Sequence, residues 1–185
     1  MSAEVAGDDA LRVGIVADTH GFLDPRVAAA LADCHRVVHA GDIGGDAILA
    51  PLDRRAGAAL AVAGNNDTPH HWPAAEQERL SALPGEAWLE LPGGALVVTH
   101  GHTLPARDRH RRLRRRYPTA AAIVYGHSHR AAVDTAVTPW VLNPGAGGRN
   151  RALGGPGCLV LCATGERWAV EEHRFERLAR RRSRG

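Results

Sequence analysis

Five short stretches of this chain each end an apolar run in side chains that bind metals or move protons. They are Asp18-Thr19-His20, Gly41-Asp42, Gly64-Asn65-Asn66-Asp67, His100 and His102 in THGH, and His127 and His129 in GHSH. Carboxylate, amide and imidazole donors together suit divalent ions such as Mn, Fe, Ni or Zn, whereas Ca and Mg favour oxygen ligands. Seven candidate ligands are too many for one tetrahedral ion, so two ions are the simpler count. Two such ions facing two Asp carboxylates leave a positive surplus that attracts an anion. A pair of metals suits in-line displacement at phosphorus, with a metal-bound hydroxide as the nucleophile.

That chemistry requires the five stretches to meet, and the elements before them supply a way. LRVGIVAD (11–18), RVVHAGD (36–42) and AALAVAG (58–64) are continuous apolar runs, the pattern of strands buried on both faces. Between them, Asp24-Pro25 starts a helix over RVAAALADC, and GDAILAPLDRR reads as a short helix despite Pro51. Strand–helix–strand–helix–strand implies parallel strands with right-handed crossovers, and such sheets bind ligands at the carboxyl ends of their strands. After residue 85 the chain turns sheet-rich. EAWLELPGGALVVTH reads as a hairpin turning near Gly93-Gly94, and a basic helix over 106–116 stops at Pro118. Strands follow at AAIVYG, AAVDTAV, WVLN, CLVLCAT and RWAVEEHRF, with a turn at Gly165-Glu166. Two packed sheets with outer helices are expected, in a single domain over 1–185 with a core of about 11–175 and a basic tail at 176–185.

The motifs DTH, GD, GNND, THGH and GHSH, in that order, resemble the calcineurin-like metallophosphoesterase family, in particular its small bacterial and archaeal phosphodiesterase branch. The resemblance spans residue 13 to about 150 and implies a four-layer αββα sandwich of two mixed β-sheets flanked by helices. Carried over residue by residue, it implies one metal on Asp18, His20 and His129 and another on Asn65, His100 and His127, with Asp42 bridging. It implies two divalent transition-metal ions, Mn first, with Ni, Fe or Zn as alternatives. Asp42, Asn65 and His102 are the expected catalytic residues, and Asn66 and Arg149 the expected substrate contacts. The glycine-rich NPGAGGRNR (143–151) matches a segment of this branch more loosely.

One departure bears on substrate. Phosphomonoesterase relatives often carry a histidine after the ligand Asn, where it is thought to protonate the leaving group. This chain has Asn66, whose amide does not titrate. The expected activity is therefore metal-dependent hydrolysis of phosphodiesters by attack of a metal-bridging hydroxide, with His102 as a substitute acid. The alternatives are a nuclease or nucleotide hydrolase of the same chemistry, and a non-catalytic interaction module on the same fold.

Composition sets the wider bounds. With 44% hydrophobic and 23% charged residues the chain is expected to fold as a soluble domain. It carries neither a signal-peptide pattern nor an apolar run of the roughly 20 residues needed to span a bilayer, so the cytoplasm is the expected compartment and no membrane partner is expected. Cys158 and Cys162 lie four residues apart on one expected strand, about 13 Å, too far to share an ion; with Cys34 they read as reduced core residues. The net charge of +3 hides two Arg-rich segments, RDRHRRLRRR (107–116) and RFERLARRRSR (174–184), on an otherwise acidic body. Clustered Arg invites nucleic acid, but only 4% of residues are aromatic, which leaves little for base stacking. The helix is read mainly as a solvated face and a small phosphate ester as the partner. His35, His110 and His173 match no motif and are read as structural, and relatives of this kind that form dimers or larger assemblies leave homo-oligomerisation open.

Overall fold

The computed structural model describes residues 10–56, 59–149 and 152–177; the expected basic tail lies outside these residues from 178 onward. The first half alternates as expected: β1 (Leu11–Val16), α1 (Pro25–Ala30), β2 (Arg36–His39), α2 (Asp46–Ala56) and β3 (Leu60–Ala61). Asp24 caps α1, its carboxylate accepting from the Arg26 amide at 3.0 Å. Pro51 sits inside α2 as read from the sequence. A short helix α3 (Gln77–Ser81), absent from the sequence reading, then leads into β4 (Glu86–Leu91) and β5 (Gly94–Thr99). Next come α4 (Arg109–Arg116), β6 (Ala122–Val124), β7 (Ala131–Asp134), β8 (Trp140–Pro144), β9 (Gly157–Ala163) and β10 (Trp168–Arg174).

Two five-stranded sheets result, ordered β10-β9-β1-β2-β3 and β4-β5-β6-β8-β7. Both are mixed. β1, β2 and β3 run parallel while β9 is antiparallel to β1, and β5, β6 and β8 run parallel while β4 and β7 pair antiparallel at the edges.

The period of two along each strand decides the layering. Val13, Ile15, Leu159 and Leu161 from one sheet meet Leu96, Val98, Val124 and Leu142 from the other. The alternate residues Val16, Cys158, Val160 and Cys162 pack outward under α1 and α2, while Val97, Ile123, Tyr125 and Val141 pack outward under Leu113 and Tyr117 of the α4 region. The order is therefore helix, sheet, sheet, helix. All three cysteines are buried and free; burial pushes the Cys34 thiol up to about 11 and that of Cys158 to about 12, so they are inert. No helix among the described residues is long and apolar enough to cross a membrane.

The basic helix is shorter than the expected 106–116. Asp108 adopts a left-handed conformation (φ 59°), so the regular helix begins at Arg109. Trp72 and Leu80, from the unexpected α3 region, close a separate apolar cluster with Ile43, Ile48 and Leu49. That packing, rather than any periodic signal, holds so short a helix.

Candidate metal centre

Parallel pairing of β1, β2 and β3 brings their carboxyl ends together, and the ends of β5 and β6 meet them from the other sheet. Backbone hydrogen bonds join the loops: Asp18 N–H to Gly41 O (3.0 Å), His20 N–H to Asp42 O (2.9 Å), Gly21 N–H to Ile43 O (2.7 Å) and Gly126 N–H to His100 O (3.2 Å). The chain turns sharply at five of the side chains it presents. Asp18, His20, Asp42, His127 and His129 all have positive φ, between 47° and 66°. Five of the seven expected ligands thus hold a conformation that costs a non-glycine residue about 1 kcal/mol or more. The only other described non-glycine residue in that region is Asp108.

The donors form two groups about Asp42. In the first, ligand atoms of Asp18, His20, Asp42 and His129 lie within 4.8 Å of one another. His20 and His129 stack with Nε2 atoms 3.2 Å apart, His20 Nε2 lies 3.7 Å from Asp42 Oδ2, and His129 Nε2 lies 3.7 Å from Asp18 Oδ1. In the second, Asn65 Oδ1 sits 3.1 Å from His100 Nε2 and 2.9 Å from His127 Nδ1, and His100 Nε2 lies 3.3 Å from Asp42 Oδ1. Two imidazole nitrogens and two oxygens converge in each group, a donor set that fits a divalent transition metal. His100 Nδ1 lies 2.7 Å from the Ala40 carbonyl. Donation there leaves the Nε2 lone pair available to a metal, the usual way an outer partner orients a metal-binding imidazole.

Charge follows this geometry. Burial would raise the Asp42 pKa, but His100 and the hydrogen bonds from Asn66 outweigh it and hold the carboxylate well below its usual range. Burial opposes a charge on His100, yet Asp42 outweighs it and moves His100 upward. His127 is moved down by burial, then by His100 and by Arg109. His102 is moved down by burial and His100.

Several residues outside the expected ligand set brace the candidate centre. Asp67 accepts from Ile43 N (2.9 Å), Gly44 N (3.1 Å), Gly64 N (2.8 Å) and Trp72 Nε1 (2.9 Å), tying the Asp42 loop to the Asn65 loop. His39 is fully buried. Gly41 N–H donates to its Nδ1 (3.2 Å), so Nε2–H donates to Thr19 Oγ1 (2.9 Å), which donates to Ile43 O (2.9 Å). Asn143 donates to Gly126 O (2.9 Å) and Ser128 Oγ (3.1 Å) and accepts from Gly145 N (2.8 Å), bracing the GHSH loop from β8. For His39 and Asn143 the sequence signals were position alone: His39 ends β2, and Asn143 opens the glycine-rich segment.

The remaining expected residues take distinct places. His102 is exposed, its ring 5.5 Å from that of His100 and 6.3 Å from that of His127. Asn66 turns its amide onto Asp42, Nδ2 to Oδ2 at 2.6 Å, and its backbone N–H onto Oδ1 at 2.8 Å. The Arg149 guanidinium lies over the Phe22 ring at 3.9 Å, beside the His20 loop.

A family model described as the calcineurin-like phosphoesterase superfamily domain matches residues 11–166. No curated protein matches the sequence. Among solved structures, a novel archaeal phosphodiesterase is 20% identical with a TM-score of 0.62, covering 88% of this chain and 99% of its own. Yfce, a phosphoesterase from E. coli, is 21% identical with a TM-score of 0.57, covering 81% of this chain and 87% of its own. Vps29 complexed with Zn²⁺, from Entamoeba histolytica, is 15% identical with a TM-score of 0.65, covering 88% of this chain and 98% of its own. At these identities the likeness is one of fold.

Proposed function

The chain belongs to the calcineurin-like phosphoesterase superfamily, and from that premise we propose that it hydrolyses phosphodiesters at a centre of two divalent metal ions. Asp18, His20 and His129 would hold one ion and Asn65, His100 and His127 the other, with Asp42 facing both groups. The observation that carries this reading is the position of Asp42. Its Oδ2 faces His20 at 3.7 Å and its Oδ1 faces His100 at 3.3 Å, so one carboxylate addresses both donor groups. When bound, the ions would supply Lewis acidity toward a phosphoryl oxygen and a water of lowered pKa. Manganese is the proposed metal, and the Vps29 structure with Zn²⁺ supports a fold able to take a transition metal.

The protein's own groups divide the remaining tasks. The Ala40 carbonyl orients His100, and Asn66 fixes Asp42 through two donated hydrogen bonds. Because the Asn66 amide holds no transferable proton, the proposed acid for the leaving group is His102, exposed beside His100 and His127. Substrates with good leaving groups, which need no acid, are expected to react fastest. The whole of 1–185 is proposed to act as one cytoplasmic domain on a small phosphate ester. Likeness to Vps29 also supports a protein-interaction module, but the filled donor set favours hydrolysis.

The test is metal analysis of purified protein with a panel of phosphodiesters and phosphomonoesters, on wild type and Asp42→Asn. About two transition-metal ions per chain, a preference for diesters and loss of activity in the variant are expected. Protein that takes up no transition metal, or activity untouched by the substitution, would refute the proposal.

A further inference from the structure

Helix α4 does not simply present its arginines to solvent. Between it and the loop carrying His127 and His129 lies a cavity of about 640 Å³, lined by Arg109, Arg111, Arg114 and Arg130. Ser128, between the two histidines, forms part of its wall, and Tyr125 and His110 also line it. His110 is held in place at both ring nitrogens: Nδ1 lies 2.8 Å from Asp134 Oδ2 and Nε2 lies 3.0 Å from the Tyr125 hydroxyl.

The charge inside is unbalanced. Asp134 takes up Arg114 at 2.8 Å, and Asp108 takes up Arg111 at 2.9 Å in a pair exposed on both sides. Such an exposed pair is weak and can yield to a stronger anion. Arg109 spends its hydrogen bonds on the Leu104 carbonyl and lies over the Tyr125 ring. Among the described residues no carboxylate pairs with Arg130, which is exposed. Four guanidiniums therefore face two carboxylates. Planar guanidinium groups with a surplus of positive charge fit a phosphate anion, a terminal dianion or a singly charged diester, which they bind in a bidentate manner.

We propose that this cavity holds a second phosphate of the substrate, one that is not cleaved, so that preferred substrates carry at least two phosphate groups. The inference rests on the phosphoesterase reading above and adds a substrate class to it. Arg111 and Arg114 also line a neighbouring hollow of about 670 Å³ with Arg115 and Pro139. The second phosphate can thus be a terminal group or the next link of a strand.

The experiment compares the dinucleotide TpT with pTpT, which adds a terminal phosphate, and with TpTpT, which adds an internal one. Wild type is expected to cleave at least one of the longer two about tenfold more efficiently than TpT, and in Arg111→Gln/Arg130→Gln that ratio falls toward one. A gain with pTpT alone identifies a terminal phosphate as the group recognised, and an equal gain with TpTpT identifies a strand. A structural defect would lower all three together and leave the ratio intact. Calorimetric binding of the same probes to metal-free protein gives a readout independent of turnover. A binding preference that disappears in the variant while none of the probes is hydrolysed would keep the cavity as a phosphate-binding site and reject the phosphodiesterase reading. Equal cleavage and equal binding of all three would overturn it while leaving that reading in place.

Discussion

The imidazoles of His20 and His129, 109 residues apart in sequence, stack with their Nε2 atoms 3.2 Å apart. Two nitrogens this close are reconciled by a shared proton or a shared cation. His129→Ala is expected to lower the metal content from two ions toward one, whereas Asp42→Asn is expected to lose both, because only Asp42 faces both groups. Added Mn²⁺ should raise the wild-type melting temperature by about 5 °C or more at saturating concentration and leave that of Asp42→Asn unchanged. Elemental analysis and thermal melts check both statements.

Asp67 is the clasp between the Asp42 and Asn65 loops. Asp67→Asn keeps the volume but turns an amide toward backbone N–H donors that need an acceptor. A loss of about 2–4 kcal/mol in chemical denaturation is expected, with metal affinity falling by about 10- to 100-fold as the loops loosen. Denaturation and metal titration at full native signal separate the two effects.

Gly64 is required for space rather than for unusual backbone angles. A Cβ there would run into the Asp42 side chain and its backbone nitrogen, whereas one on Gly85 would meet nothing within 4 Å. Gly64→Ala is expected to destabilise by about 2–3 kcal/mol and abolish metal binding, and Gly85→Ala to stay within about 0.5 kcal/mol of wild type. Paired urea titrations with metal-content assays decide it.

His39 makes stability fall on mild acidification. Burial brings its pKa from 6.5 down to about 4, so below pH 6.5 the unfolded chain takes up a proton that the folded protein refuses. Stability is then full above pH 6.5 and declines toward pH 4, at up to about 1.4 kcal/mol per unit. The raised His100 contributes in a different window, strengthening the metal-free protein only as pH falls toward 6.5 from above. His102 and His127, also lowered, act in the same window as His39, so the comparison must be with a variant. His39→Gln, which can still accept from Gly41 and donate to Thr19, should flatten the decline between pH 6.5 and 4 in denaturation measured without metal. An unchanged slope would contradict the assignment.

Sequence alone determined the elements that hold the centre. The apolar runs ending in DTH, GD and GNND specified parallel strands, and the five motifs in order held the seven side chains that the fold brings into two neighbouring groups. The signal was local: period-two burial and ligand-type residues at strand ends. Tertiary structure alone decided the rest. Nothing near His39 encodes that Gly41 and Thr19 will fix its tautomer, and nothing near Asn143 encodes that it will brace Ser128 from another strand. Asp108 broke the start of the basic helix, and Trp72 and Leu80 stabilised a segment with no periodic signature. His110 matches no motif, and only the sheet order brought Asp134 and Tyr125 to its two nitrogens. The physical reason is range. Hydrophobic period and turn chemistry act over a few residues, whereas the hydrogen bonds and cavities that refine this centre join segments the chain separates widely and only the packed sheets bring together.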